Sequence, residues 1–239
     1  MKIITWNCNM KFRQKFKEIS KLDADIYVIQ ECEDPTEAKS KLYKDFASNY
    51  FWIGDNPNKG LGIFAKDHIK IERMNIEDGN FRYFLPVRVN NKFNLLGIWA
   101  MPEYVREILN YYDYNEDKNL FNNNLVLCGD LNASVIWNKS NPKRNFSTLI
   151  NHLKNHGLVD VYHYLNKEKQ GQESQATYFF RKKLNSTYHT DHVFAAPNII
   201  KDLDIIDNYK WINLSDHLPV LFETNYENSN KGEKSLFDF

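Results

Sequence analysis

Two short stretches of this chain are apolar where a half-exposed strand would alternate. Residues 25–30 read Asp-Ile-Tyr-Val-Ile-Gln and residues 125–128 read Leu-Val-Leu-Cys. A strand of that composition is covered on both faces, so it belongs inside a layered structure. The elements around these runs alternate at short spacing, with no internal repeat and no interior linker. Strands are expected at 2–7, 61–65, 69–75, 81–89, 93–99, 176–181, 190–195, 201–209 and 218–224. Phe12, Phe16, Ile19 and Leu22 recur at helical spacing and predict a helix over 12–22. Asp34-Pro35-Thr36-Glu37 has the order of a capped helix start. A helix from Pro102 would bury Val105, Ile108, Leu109 and Tyr112, and another over 146–156 would close at Gly157. Many strands with a few helices between them suit two sheets packed together with helices outside. A single doubly wound sheet fits the periodicity as well.

Hydrophobic residues make up 42% of the 239, enough for a sizeable core, and aromatics at 15% imply that many rings are buried. One α/β domain over 1–226 is expected, followed by a polar and disordered tail over 227–239. The formal net charge is zero, so any attraction to a polyanion must come from a local basic face. Cys8, Cys32 and Cys128 lie in or beside expected strands without metal-type spacing and read as buried reduced thiols. With no signal-peptide core and no apolar stretch of membrane-spanning length, the expected location is cytoplasmic.

Acids and amides collect at the strand ends. Asn7 ends the first strand, and Glu31 follows the 25–30 run. Asp130 and Asn132 follow the 125–128 run in Gly129-Asp130-Leu131-Asn132. Asp191 lies in His189-Thr190-Asp191, and Asp216 and His217 precede the last strand in Ser215-Asp216-His217. Polar groups at one edge of a sheet can converge on one pocket. Taken singly, each is as readily a turn or capping residue, and His217 alone reads as a hydrogen-bonded structural histidine. Their joint pattern favours a site.

In this order, Trp6-Asn7, Gln30-Glu31, Gly129-Asp130-Leu131-Asn132, His189-Thr190-Asp191 and Ser215-Asp216-His217 resemble the motifs of the endonuclease/exonuclease/phosphatase superfamily, the exonuclease III/DNase I-like group. The resemblance spans about residues 2–224. It implies a four-layer α/β/β/α sandwich of two mixed sheets flanked by helices. It also implies phosphoester hydrolysis with Mg²⁺ or Mn²⁺. On this reading Glu31 is the main metal carboxylate, with Asn7 and Asp216 completing the oxygen donors. Asp130 would orient or deprotonate the attacking water, and Asn132 would bond a phosphate oxygen. His217 would face the phosphate with Asp191 behind it. His189 shares a strand face with Asp191 and would line the pocket or pack. Family members carry a histidine or a tyrosine after the strand that here ends at Trp99. This chain reads Ala100-Met101-Pro102-Glu103-Tyr104, which leaves Tyr104 as the candidate substitute.

Basic residues flank this expected site. Lys139, Lys143 and Arg144 follow one motif, and Arg181, Lys182 and Lys183 lie near another; Trp137 and Tyr178-Phe179-Phe180 add stacking surfaces. Lys143, Arg144, Arg181 and Lys182 are therefore candidate substrate-binding residues. A solvated lysine-rich loop is the other reading of each cluster. The leading expectation is a monomeric DNA endonuclease or exonuclease acting in DNA repair. Alternatives are a phosphatase or phosphodiesterase on an inositol phosphate, a sphingolipid or another small phosphoester, and a binding module that has lost catalysis. The final residues, Glu233-Lys234-Ser235-Leu236-Phe237-Asp238-Phe239, resemble a sliding-clamp peptide with Glu233 and Lys234 substituted. A tail that packs back on the domain is the alternative.

Overall fold

The structure is a computed structural model that describes residues 1–76, 79–140 and 143–226. The clamp-like peptide at 233–239, and Asn141 and Pro142 within the first basic cluster, lie outside the described residues. In chain order the elements are β1 (Lys2–Asn7), α1 (Phe12–Ile19), β2 (Ile26–Cys32), α2 (Lys41–Phe46), β3 (Tyr50–Asn56), β4 (Lys59–Ala65), β5 (Ile71–Arg73), β6 (Phe84–Val89), β7 (Phe93–Trp99) and α3 (Val105–Asn115). There follow β8 (Leu125–Asp130), α4 (Phe146–Asn155), β9 (Val159–Asp160), α5 (Val161–Asn166), β10 (Tyr178–Phe179), β11 (Thr187–Tyr188), β12 (Asp191–Ala195), β13 (Ile200–Ile205), α6 (Tyr209–Leu214) and β14 (Val220–Thr224).

Two mixed six-stranded sheets form the centre, in the orders β13-β14-β1-β2-β4-β3 and β5-β6-β7-β8-β12-β9. Each has one parallel pair in its middle, β1 with β2 and β7 with β8, and antiparallel neighbours around it. The apolar runs at 26–29 and 125–128 are fully buried in these middle strands, as strands covered on both faces should be. The expected sandwich of two mixed sheets with flanking helices is the fold observed.

The rings account for the outer layers. Trp6, Phe12, Phe16, Tyr43, Phe46, Phe64 and Trp211 join the first sheet to its helices, with Trp6 against Trp211 at 5.3 Å and Phe12 against Phe64 at 5.6 Å. On the second sheet, Phe84 stacks on Tyr111 of α3 at 4.1 Å. Between the sheets the approach is close. A Cβ on Gly97 would lie 2.9 Å from Val28 Cγ1 and 3.3 Å from Ile63 Cδ1, both on the facing sheet. Gly97→Val is expected to cost about 1–3 kcal/mol by overpacking, read as a lower urea midpoint. An unchanged midpoint would contradict so tight a seam.

Several expected elements differ. Asp34-Pro35-Thr36-Glu37 starts no helix: the Asp34 carboxylate accepts the Thr36 N–H at 2.9 Å, which closes a local turn instead. The nearby helix is α2, capped by Ser40. The helix expected from Pro102 begins at Val105, because Tyr104 at φ 54°, ψ −129° has no helical backbone. The helix over 12–22 ends at Ile19 and tightens into a 3₁₀ turn over Ser20–Leu22. The strand expected over 201–209 stops at Ile205, and α6 follows with Trp211 buried. Among the described residues no helix is long and apolar enough to cross a membrane.

Candidate functional site

One edge of the two facing sheets gathers the polar residues. β1 and β2 run parallel, so Asn7 and Glu31 reach the same edge. Between Gln30 and Cys32 the register with β4 slips, leaving Glu31 as the extra residue of a bulge at φ 61°. A bulge re-aims the side chain it carries, here into the edge. In the other sheet Asp191 at the start of β12 pairs with Asp130 at the end of β8. Gly129 makes this fit: a Cβ there would collide with the carbonyl of Ile98, and its φ of 153° disfavours other residues.

Hydrogen bonds then link the two sheets. The Asn7 amide nitrogen donates to Asp130 Oδ2 at 2.9 Å and faces Glu31 Oε1 at 3.4 Å. Asn132 donates through its backbone to Asp130 Oδ1 at 3.0 Å and through its side chain to Oδ2 at 3.1 Å. The Ser215 hydroxyl donates to Asn7 O at 2.7 Å and accepts the His217 N–H at 3.1 Å, while the Trp6 indole donates to His217 O at 2.9 Å. His217 is thus fixed through its backbone, independently of its ring.

His217 Nδ1 lies 2.9 Å from Asp191 Oδ2, which sets the proton on Nδ1 because a carboxylate can only accept. Asp191 is held by its backbone N–H on Thr177 Oγ1 at 3.0 Å. On the other side, His217 Nε2 faces Asp130 Oδ2 at 3.9 Å, too far for a hydrogen bond. That nitrogen therefore remains available to a third group. Tyr178 packs its ring 4.5 Å from the imidazole. Burial opposes charge on His217, but Asp191 and Asp130 outweigh it and push its pKa up to about 10. Burial pushes Asp130 up to about 6, with Asp191 adding to the rise and the His217 cation opposing it. An imidazolium thus sits beside a carboxyl group whose proton is exchangeable near neutral pH.

Two sets of groups could hold a cation. Among the described residues, Asp130, Asp191 and His217 are the one cluster of His, Cys, Asp and Glu with mutually close ligand atoms. Its His217–Asp191 hydrogen bond places a proton where a metal would need a lone pair. Asp191 Oδ1 is nonetheless buried without a hydrogen-bond partner among the described residues. The second set, Glu31, Asn7 and Asp216, offers oxygen alone, which suits a hard divalent ion. Glu31 Oε2 already attracts a cation, the Lys59 ammonium at 3.2 Å, and Asn9 ties the set together by donating to Asp216 Oδ1 and Asn7 Oδ1, both at 3.0 Å. The donor chemistry of the second set is the better fit.

A cavity of about 950 Å³ opens beside Asn132, lined by Tyr104, Trp137, Arg144, Tyr178, Phe180 and Tyr188 among others. Tyr104, Trp137 and Phe180 are 48%, 40% and 42% exposed, unusual for such large rings. Arg144 lines it too, but its guanidinium reaches Asp113 and Asn110. Lys143 is exposed, Arg181 lies over the Phe180 ring at 5.1 Å, and Lys182 donates to Asn213 O at 2.9 Å. His189 turns away: its Nδ1 bonds Gln175 O at 3.0 Å and its ring packs on Tyr162 at 4.6 Å. The packing reading describes it, because the chain at 189 precedes β12 and does not share that strand's alternation. Lys59, Asn9 and Thr177 join the site without having been singled out for it by the sequence, and Tyr178, expected as a stacking surface, packs on His217. Asn9, two residues from Asn7, carried a signal in its spacing; Lys59, in a distant hairpin, carried none.

The model for the endonuclease/exonuclease/phosphatase family matches residues 4–217. No curated protein matches the sequence significantly. Among solved structures, a 3′-5′ exonuclease from Neisseria meningitidis aligns with a TM-score of 0.64 at 18% identity, covering 95% of this chain and 100% of that one. An AP endonuclease from Archaeoglobus fulgidus aligns at 0.69 with 16% identity, over 95% and 100% of the two chains. An AP endonuclease from Leishmania major aligns at 0.68 with 13% identity, over 95% and 88%. At these identities the likeness is one of fold.

Proposed function

The chain belongs to the endonuclease/exonuclease/phosphatase family, and from that premise we propose that it hydrolyses phosphodiester bonds in DNA with Mg²⁺ or Mn²⁺ as cofactor. The observation that carries the reading is the His217 Nε2, beyond hydrogen-bond reach of Asp130 at 3.9 Å, beside an all-oxygen set of donors. Glu31, Asn7 and Asp216 would hold the metal, with Lys59 released from Glu31. When bound, the ion supplies Lewis acidity to the phosphate and charge stabilisation to the leaving oxygen.

The protein's own groups divide the remaining work. Asp130, ionised above about pH 6, accepts a proton from the attacking water at Oδ2 or orients it. His217 donates Nε2–H to a non-bridging phosphate oxygen and, as a cation, stabilises the charge that gathers there in the transition state. Asp191 fixes the tautomer and the ring plane. Asn132 holds Asp130 through its backbone and side chain, and its amide would turn from Ala100 O to bond a second phosphate oxygen. Tyr104, which lines the cavity, would meet the nucleotide beyond the bond cut.

DNA is favoured over a small phosphoester by the cavity. Its exposed rings offer stacking faces continuous with the phosphate position, and stacking on an aromatic side chain contributes about 1–3 kcal/mol per base. Arg106 and Arg144 are engaged by Glu103 and Asp113, so the cavity lacks the concentrated positive charge that a polyphosphorylated inositol requires. Lys143, Arg181 and Lys182, with Arg144 once released from Asp113, would follow the backbone on either side. Among the structural neighbours the Neisseria enzyme points the same way, being described as a 3′-5′ exonuclease and as a 3′ phosphatase bound to product DNA hairpin.

A substrate panel tests this with plasmid, abasic duplex, single-stranded DNA, RNA and a small phosphodiester, for the wild type and Trp137→Ala. The expected result is turnover of a DNA substrate that falls about tenfold or more in Trp137→Ala, with any small-phosphodiester turnover unchanged. Wild-type turnover of the small ester alone would reject DNA as the substrate.

A further inference from the structure

A second buried polar cluster lies directly behind the catalytic turn, and none of the chemistry above uses it. His192, on β12 next to Asp191, is 2% exposed. Its Nε2 lies 3.1 Å from Ala133 O and its Nδ1 2.9 Å from Asp160 Oδ2. The Ala133 carbonyl can only accept, so Nε2–H donates to it, and Asp160 orients the ring through Nδ1. Asp160 is itself 5% exposed and caps α5, and its other oxygen lies 3.0 Å from His163 Nδ1. His163 Nε2 continues to Glu173 Oε1 at 3.0 Å. The surroundings of His192 are rings: Phe146 at 4.6 Å, His189 at 5.1 Å and Phe194 at 6.1 Å. A phenylalanine would fill such a space without burying polar nitrogens.

What the cluster holds is the turn over 129–134. Asn132 has φ 47°, a left-handed backbone that asparagine tolerates and that needs outside support. On one side Leu131 N–H donates to Thr190 O at 3.0 Å, and Asn132 Nδ2 reaches Ala100 O at 3.3 Å. On the other side the bond to Ala133 O comes from His192. Without it the carbonyl after Asn132 is buried and unpaired, and the turn can relax away from Asp130.

We infer that His192, oriented by Asp160, is a positioning residue that locks this turn and thereby holds Asn132 where it fixes the Asp130 carboxylate. The role in turnover rests on the phosphodiesterase reading; the mechanical role does not. His192 touches no substrate, so its loss acts on how well the transition state is met. A displacement of a catalytic group by about 1 Å lowers turnover about 100-fold.

The test compares wild type, His192→Phe and His192→Gln by backbone hydrogen–deuterium exchange and by kinetics on an abasic duplex and its undamaged counterpart. His192→Phe is expected to speed exchange of the amides at 131–134 while those of β1 and β2 keep their protection. It should lower kcat about 10- to 100-fold with KM changed less than about twofold. His192→Gln, which keeps a donor for Ala133 O, should recover most of both losses. Should His192→Phe fail to fold, Asp160→Asn, which keeps the shape and weakens the orientation, is expected to show the same local split. Exchange at 131–134 that stays as in the wild type overturns the inference, as does exchange that rises everywhere with no rescue by glutamine. A wild type that cleaves neither duplex rejects the nuclease reading, and the exchange measurement still decides the positioning role.

Discussion

Asp191→Asn is expected to lower kcat by about 10²- to 10⁴-fold while leaving the fold intact. The carboxylate oxygen that faces His217 Nδ1 at 2.9 Å sets which ring nitrogen carries the proton. An asparagine can turn its amide nitrogen to that position, after which Nδ1 accepts and the ring loses its cationic form. The backbone bonds that seat residue 217, from Trp6 and Ser215, are untouched by the change. The unfolding midpoint should therefore fall, because the stabilisation of the imidazolium is lost, but by less than in His217→Ala. That substitution leaves Asp191 buried with neither oxygen paired to the imidazole, a loss of about 3–5 kcal/mol for a broken buried pair. The two variants should share the loss of turnover and differ in stability. Circular dichroism melts and single-turnover rates distinguish them. An Asp191→Asn enzyme with wild-type kcat would remove the dyad from the chemistry.

The second large effect is on stability at alkaline pH. Burial opposes charge on His163, but Asp160 and Glu173 outweigh it and push its pKa up to about 9; His217 is pushed up to about 10. Both folded values exceed the ordinary value of about 6.5, so the folded state keeps two protons that the unfolded chain releases. Their stabilisation is full below about pH 6.5 and is lost as pH rises through 9 and 10. In metal-free protein the slope is up to about 1.4 kcal/mol per pH unit for each histidine, with less from His163, where water reaches the cluster. The Met1 ammonium works the other way and more weakly, burial holding its pKa below the ordinary value. At the acidic end, burial raises the Glu173 pKa but His163 and the Gly171 N–H overcome it and hold it at about 2, so that contribution fades only as pH falls from about 4.5 toward 2. Burial keeps His189 neutral down to about pH 4, which costs stability as pH drops below 6.5. Urea unfolding at pH 6.5, 8 and 9.5 should show a steep loss, reduced by the His163 share in His163→Gln. A flat profile would mean that these histidines are not charged in the folded protein.

The interior of this fold could be read directly from the residues because it is covered on both faces. The runs at 25–30 and 125–128 can be little other than middle strands, and they are β2 and β8. The converging polar residues were readable for a related reason: Asn7, Glu31, Asp130 and Asp191 stand out against apolar strands that deliver them to one edge. The signal weakened toward the periphery. β3 is an edge strand whose residues are half-exposed or exposed, so it lacks an apolar run. The helices α5 and α6 are six residues each, too short for a helical period to register. At 34–37 a local turn uses the same residues as a helix start, and which one forms depends on the Asp34 side chain finding the Thr36 N–H. Lys59 reaches Glu31 from a hairpin nearly thirty residues away, a contact that only tertiary structure creates. His192 sits in β12 between Asp191 and three apolar residues, where its burial hides its two polar partners from any reading of the sequence.

On the proposed function, the oxygen donors of Glu31, Asn7 and Asp216 would hold the divalent ion with which the His217 and Asp130 side chains would cleave a phosphodiester. The most direct test is metal-dependent cleavage of a DNA panel by the wild type and by Glu31→Ala, alongside calorimetric titration of each with Mn²⁺. Cleavage is expected to require Mg²⁺ or Mn²⁺, to stop with EDTA, and to fall at least about 100-fold in Glu31→Ala together with a matching loss of Mn²⁺ affinity. Cleavage that persists in EDTA, or a Glu31→Ala protein that binds Mn²⁺ and turns over like the wild type, would contradict it.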